Sequence, residues 1–155
     1  MCSKLKMQAN GILILIRALS GNTLHDATTE QASASTIFDT ESFDESAFLQ
    51  DVLQSSKNIP MVLGWYNAFK VVGLFCLGYN TEAAELGFSV YHSAQHYPNH
   101  RHIRFSLCYH SLAIINCIRK DGLSITRRER YLRQVDLNQA FIRKYVLAEF
   151  KGKLV

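Results

Sequence analysis

Apolar and small residues recur three and four apart along most of this chain, the spacing of α-helices that each bury one face. The densest run is Trp65–Arg119, interrupted once by Gly78-Tyr-Asn-Thr81 and once by Tyr97-Pro-Asn-His100. The pattern predicts antiparallel helices joined by short turns. Met61–Leu77 reads as one helix, closed by Gly78 in the left-handed position that ends many helices. Asn80 or Thr81 is expected to cap the next, with Glu82 in its first turn, where the helix dipole favours an anion. That helix presents Ala83, Ala84, Leu86, Gly87, Phe88, Val90 and Tyr91, and it stops near 95–97, ahead of Pro98. A further helix is expected from about His102 to Arg119, with Lys120-Asp-Gly122 as its terminator.

Upstream, Lys4–Leu19 reads as a helix that is apolar almost all round in its second half and is therefore expected to be buried, ending at Gly21-Asn22. Asn22–Thr36 is a polar loop, part of a longer non-helical stretch over about 22–41, with Ile37-Phe38 pinning its far end. Ser42-Phe-Asp-Glu45 reads as a capping box in which the serine accepts from the helix start and the glutamate reaches back. It opens a helix to about Gln54, followed by a turn over Ser55–Pro60. Downstream, Thr126-Arg-Arg-Glu129 reads as a second capping box. It opens a last helix to about Phe150 with Tyr131, Leu132, Val135, Leu137, Phe141, Ile142, Tyr145 and Val146 as its apolar positions, and Lys151–Val155 is expected to fray. No convincing alternating strand pattern is present. The expectation is an all-α fold, one helical domain over 1–155, built from antiparallel helical hairpins at about 61–97 and 102–150.

The hairpin 61–96 has the size of a tetratricopeptide repeat, about 34 residues. Ala84 and Phe88 match the A-x3-F spacing of a second repeat helix, Gly78 lies at the turn between the helices, and Pro98 lies near the closing proline. The first-helix pattern is not in register from Trp65, and the next pair is longer. The expected architecture is a tetratricopeptide-like segment of α/α superhelix rather than a regular repeat.

Composition changes this picture little. The chain has 155 residues, 48% apolar and 19% charged, enough for one domain with a real core. The apolar run Ile12–Ile16 is far shorter than the roughly 20 residues of a membrane span. It also makes a poor signal peptide, because Arg17 closes it and Ala18-Leu-Ser-Gly is a weak cleavage site. Cys2, Cys76, Cys108 and Cys117 form no CxxC pair. Three of them lie in apolar helical patterns, as small hydrophobes do, which points to a reducing, cytoplasmic setting without a membrane. Charge is unevenly spread. Seven acidic residues and no Lys or Arg lie between Ala18 and Ser56, whereas twelve basic and four acidic residues lie from Arg101 onward. The two ends are thereby suited to attract each other or to face different partners.

Candidate chemistry concentrates at the turn after Tyr97. His92 and His96, four apart, share a helix face at the spacing of paired metal ligands, and His100 and His102 follow across the turn. No glutamate follows His92 as in a HExxH metal motif, so solvated histidines, with His110 partly packed, are the plainer expectation. Arg101 and Arg104 stand at a helix start, where a phosphate or carboxylate binds readily; a solvated basic turn is the plainer reading. Arg127, Arg128, Arg130 and Arg133 carry charge without a nucleic-acid motif, which favours a solvated or partner-facing surface. Trp65, Tyr66, Tyr79 and Tyr97 sit at packing spacings. Asp39, Glu41, Asp44 and Glu45 crowd a helix start, where capping accounts for them. Phosphate-binding loops and the GxSxG nucleophile motif are absent from the sequence. No catalytic residue and no cofactor are expected.

Four strings carry a resemblance: Ala18-Leu-Ser-Gly-Asn-Thr23, Ala83-Ala-Glu-Leu-Gly-Phe-Ser-Val-Tyr91, Tyr97-Pro-Asn-His-Arg-His102 and Asn138-Gln-Ala-Phe-Ile-Arg-Lys144. With Ile37-Phe-Asp39 they resemble the tetratricopeptide-like helical middle of large fungal hybrid histidine kinases, over roughly Gln8–Tyr145. The resemblance implies a detached or truncated piece of a signalling kinase that acts through protein contacts. The kinase's catalytic motifs are not matched: His100-Arg-His-Ile and His110-Ser-Leu-Ala lack the acidic residue and proline of a phosphoacceptor box. The expected function is a noncatalytic interaction or signal-transmitting module with protein partners. An excised solenoid segment exposes an apolar end and is expected to self-associate. The alternative is a regulatory domain that binds a metal or anion through His92, His96, His100, His102, Arg101 and Arg104.

Overall fold

The computed structural model describes residues 3–23, 38–55, 59–98, 100–120 and 122–151. Among them are six helices: α1 (Ser3–Leu19), α2 (Glu45–Ser55), α3 (Ile59–Cys76), α4 (Asn80–His96), α5 (Arg101–Arg119) and α6 (Ile125–Lys151). No strand occurs among the described residues, and Thr40 and Phe43 form one isolated bridge. The all-α expectation holds, and the two hairpins are α3–α4 and α5–α6. The expected loop over Asn22–Thr36 lies largely outside the described residues, as do Ile37, Cys2 and the final 152–155.

The chain stacks around α3 and α5. α3 packs on α1, α4 and α5; α5 packs on α3, α4 and α6; α2 leans on α3. The core is made where these faces meet. Tyr66 and Leu74 of α3, Ala83 and Ala84 of α4, Ala113, Ile114 and Cys117 of α5, and Tyr131 and Val135 of α6 lie in one buried cluster. Trp65, Ala68 and Val71 meet Val90, Ala94, Ile103 and Leu107 in a second. The alanines of α4 carry little side chain, so α3 and α5 approach it closely. Phe38 is fully buried and edge-on to Tyr66, with ring centroids 5.7 Å apart. Burying such a ring contributes about 2 kcal/mol and ties the start of the 38–44 segment to α3.

The glycine terminators behave as their spacing predicts. Gly78 has φ +89, the Gly78 N–H reaches the Phe75 carbonyl at 3.0 Å, and the Tyr79 N–H reaches the Leu74 carbonyl at 2.8 Å. This paired arrangement satisfies two of the last carbonyls of α3. Gly21 closes α1 in the same way.

The helix starts differ from expectation. α2 begins at Glu45, and the cap is Asp44, whose Oδ1 accepts the Ala47 N–H at 2.8 Å. Ser42 is engaged in the Thr40–Phe43 turn instead. The Glu45 N–H goes to Asp39 Oδ1 at 2.8 Å, and the Glu45 carboxylate turns inward, where both its oxygens accept from Lys70 of α3. At α6 the cap is Ser124, whose Oγ accepts the Arg127 N–H at 3.3 Å; Thr126 is already inside the helix. At α4 neither Asn80 nor Thr81 caps. Tyr79 holds that position without a side-chain capping bond, and Asn80 spends its amide on the Gly78 carbonyl and on Asn116 of α5. Ile59 and Pro60, expected in a turn, form the first turn of α3, where proline's missing N–H costs nothing.

One burial expectation is overturned. The second half of α1 is not buried all round: Ile14 and Ala18 are covered, while Ile12, Leu13, Ile16 and Leu19 are exposed. A helix with one principal neighbour, here α3, hides only one stripe. On α6, Tyr131 and Val135 are buried but Leu132, Leu137 and Val146 face outward for the same reason. Of the described cysteines, Cys117 is buried and Cys76 and Cys108 are exposed.

Candidate functional site

The histidine-rich turn is divided by the packing. His92 and His96 lie exposed at the end of α4, ring centroids 5.3 Å apart, and His96 Nδ1 bonds the His92 carbonyl at 3.1 Å. His100 and His102 fold the other way, onto α3. His102 stacks on Phe69 at 5.4 Å and meets Trp65 edge-on at 5.6 Å, and His100 meets Trp65 at 4.9 Å. Tyr97 stands between the two pairs. Burial, with the neighbouring His100, pushes the His102 ring down to about 4, and burial lowers His100 as well. The four imidazoles are thus not one ligand set. Among the described residues no group of three or more His, Cys, Asp or Glu side chains is placed to hold a metal ion.

The arginines of the proposed anion site are likewise split. Arg104 is buried and donates from Nη1 to the Pro98 carbonyl at 3.1 Å, tying down the turn; Arg101 is exposed on the first turn of α5.

A polar network that the sequence reading did not find lies in the core. His110 is fully buried, not partly packed. Its Nε2 bonds the Ala84 carbonyl of α4 at 2.9 Å, and its Nδ1 faces Asn138 Nδ2 of α6 at 3.1 Å. A carbonyl only accepts, so the ring proton sits on Nε2 and Nδ1 accepts from the amide. The second amide proton of Asn138 goes to Ser111 Oγ at 3.1 Å, and its Oδ1 accepts from Gln134 Nε2 at 2.8 Å. Ser111 in turn donates to the Leu107 carbonyl. Each ring nitrogen and each amide atom is satisfied, so the network joins three helices without an orphaned group. Burial holds the His110 ring down at about 4, against the smaller opposing effects of the Ala84 carbonyl and Glu85.

A second cluster pins α6 to α4 at the surface. Tyr131 Oη donates to Glu85 Oε1 at 2.7 Å, and Arg127 Nη2 reaches the same carboxylate at 2.9 Å and the Tyr131 oxygen at 3.0 Å. Arg130 Nη1 lies 3.5 Å from Glu85 Oε2, and its guanidinium sits 3.9 Å above the Phe88 ring. Burial acts to raise Glu85, but the bonds from Tyr131 and Arg127 and the charges of both arginines outweigh it and hold the carboxyl low. Burial, then the bond to Glu85, pushes Tyr131 up to about 12. The partner-facing arginines of the sequence reading are therefore in part ion-paired within the chain.

The surface carries two apolar stripes. On α1, Ile12, Ile16 and Leu19 stand at i, i+4 and i+7 with Leu13 beside them; Ile16 is 55% exposed. On α5, Phe105, Cys108 and Leu112 stand at i, i+3 and i+7, with Phe105 56% exposed. The two helices meet at Phe69 of α3. A Cβ on Gly11 of α1 would lie 2.8 Å from Phe69 Cδ2, and His102 of α5 stacks on the same ring.

The membrane question falls on α3 rather than on the Ile12–Ile16 run. Ile59–Cys76 is the one described helix long and apolar enough to cross a bilayer, and 56% of it is buried as the central helix of the stack. The fold defines an all-helical stack. The chain matches no family model, no curated protein and no solved structure at a significant level.

Proposed function

We propose that this chain is a noncatalytic helical module that works through protein contacts, similar to the tetratricopeptide-like middle region of signalling histidine kinases and acting in the cytoplasm. The observation that carries the proposal is the exposed apolar stripe Ile12, Ile16 and Leu19 on α1. Single exposed apolar residues need no explanation, but a contiguous stripe at helical spacing marks an interaction surface. The α3–α4 hairpin supports the tetratricopeptide-like part of the reading, with small residues where its helices approach and a glycine terminator at its turn.

The test compares the chain with an Ile16→Glu/Leu19→Glu variant as bait for protein capture, after circular dichroism shows equal helix content. The expected result is a partner retained by the parent and lost by the variant. A partner held equally by both, or none held by the parent, removes the stripe as its binding surface.

A further inference from the structure

His92 and His96 stand one turn apart at the C-terminal end of α4, and both are exposed. Their ring centroids are 5.3 Å apart and their planes are inclined by 63°, so the rings are not stacked. An ion held by two imidazoles in a tetrahedral site, about 2.0–2.1 Å from each nitrogen, keeps the ring centres about 5 Å apart. A pair bound at a right angle has its centres about 4.5 Å apart. The spacing of this pair suits the tetrahedral ion, and the helix need not move to reach it.

The ring nitrogens are placed for the same task. His96 Nδ1 lies 3.1 Å from the His92 carbonyl. A carbonyl only accepts, so the ring proton is on Nδ1 and the lone pair is on Nε2. Ligating histidines have this arrangement: one nitrogen gives its proton to an oxygen that fixes the ring, and the other is left for the metal. Among the described residues neither His96 Nε2 nor the ring nitrogens of His92 make a hydrogen bond. The surroundings favour a cation. The last carbonyls of a helix carry partial negative charge, and α4 has no Lys or Arg along its length. His100 and His102 do not join the pair, because they are turned onto Trp65 and Phe69 of α3.

We propose that His92 and His96 form a two-histidine chelate for zinc, with His96 binding through Nε2. Zinc takes four ligands and the chain supplies two, so two positions stay open to water or to an incoming ligand. The ion is therefore held at the surface and exchanges readily, and the fold does not depend on it. Imidazole also suits nickel and copper, so these ions compete for the same pair. The inference uses the end of α4 and not the α1 stripe, so its failure leaves the capture experiment standing.

Isothermal titration of zinc chloride into the full chain tests it, with His92→Gln, His96→Gln and His100→Gln compared. All three are surface or turn positions, and circular dichroism is expected to show the parent helix content in each. The parent is expected to bind zinc saturably. His92→Gln and His96→Gln are each expected to weaken that binding about a hundredfold, because the second ligand on one helix binds intramolecularly. His100→Gln is expected to bind as the parent does. NMR of the imidazole signals gives a second readout: zinc is expected to shift those of His92 and His96 and to leave those of His100, His102 and His110 in place. A parent that shows no saturable binding overturns the proposal. So does parent-like affinity in either His92→Gln or His96→Gln, or an equal loss in His100→Gln.

Discussion

The imidazole of His110 lies against Gly87, in the space a side chain on α4 would fill. A Cβ placed on Gly87 would sit 2.6 Å from His110 Nε2 and closer still to two ring carbons. The ring cannot retreat, because both its nitrogens are bonded, to Ala84 and to Asn138. Gly87→Ala should therefore destabilise the fold, although alanine is the better helix former by about 1 kcal/mol. The expected net loss is about 1–3 kcal/mol. Urea unfolding followed by circular dichroism checks it, and an unchanged or raised midpoint would contradict the packing described.

Asn138 uses its whole amide inside the core. Asn138→Ala leaves His110 Nδ1, Ser111 Oγ and Gln134 Nε2 short of a partner and opens a small cavity. The expected cost is about 2–4 kcal/mol. Amide exchange should rise first in α6, and equal protection in parent and variant would count against the network.

The same network makes stability depend on pH. A histidine in the unfolded chain titrates near 6.5, and His110 in the fold titrates at about 4. Between these values the unfolded chain holds a proton that the folded chain refuses. Stability is therefore fully present above about pH 6.5, falls as the pH drops, and the loss from this group is complete below about pH 4. If the whole depression is realised, the loss is about 3 kcal/mol. His102, also at about 4, acts in the same direction, but it is partly exposed and its share is screened. Denaturation midpoints from pH 7 to 4 measure the slope. His110→Gln should flatten it, and an unchanged slope would assign the acid sensitivity elsewhere.

Tyr131→Phe removes the donor to Glu85 but leaves the Arg127–Glu85 pair at 2.9 Å. The carboxylate side chain is 40% exposed, so water screens the pair. A double-mutant cycle with Glu85→Gln should give a coupling of about 0.5–1 kcal/mol. A cycle that closes to zero would show that the hydroxyl–carboxylate bond adds nothing.

What the sequence made legible was local. Gly78, Gly21 and Pro98 announce their turns because a positive φ and a missing N–H are properties of one residue. The capping boxes at Ser42 and Thr126 do not form because Asp44 and Ser124, each two residues away, take the capping bond instead, and at Ser42 the Thr40–Phe43 turn engages the serine. The burial of α1 is not legible in the sequence, because apolar character says nothing about how many neighbours a helix has. The His110 network was out of reach for another reason. Its partners Ala84 and Asn138 lie 26 and 28 residues away, and only the packing of α4, α5 and α6 brings them together. The histidines that cluster in sequence, by contrast, are separated by Tyr97 and by the pull of Trp65 and Phe69.

The arrangement of α3, α4 and α5 also bears on how the chain folds. Each is joined to the next by a few residues, Leu77–Tyr79 and Tyr97–His100, and these three share the closest packing of the molecule. The loops to be closed are short, so the central trio can assemble quickly from neighbours in sequence. α1 reaches α3 only after the long stretch that precedes α2. The order of assembly that follows is a fast local nucleus at α3–α5, with α6 docking onto it through Asn138 and α1 arriving last.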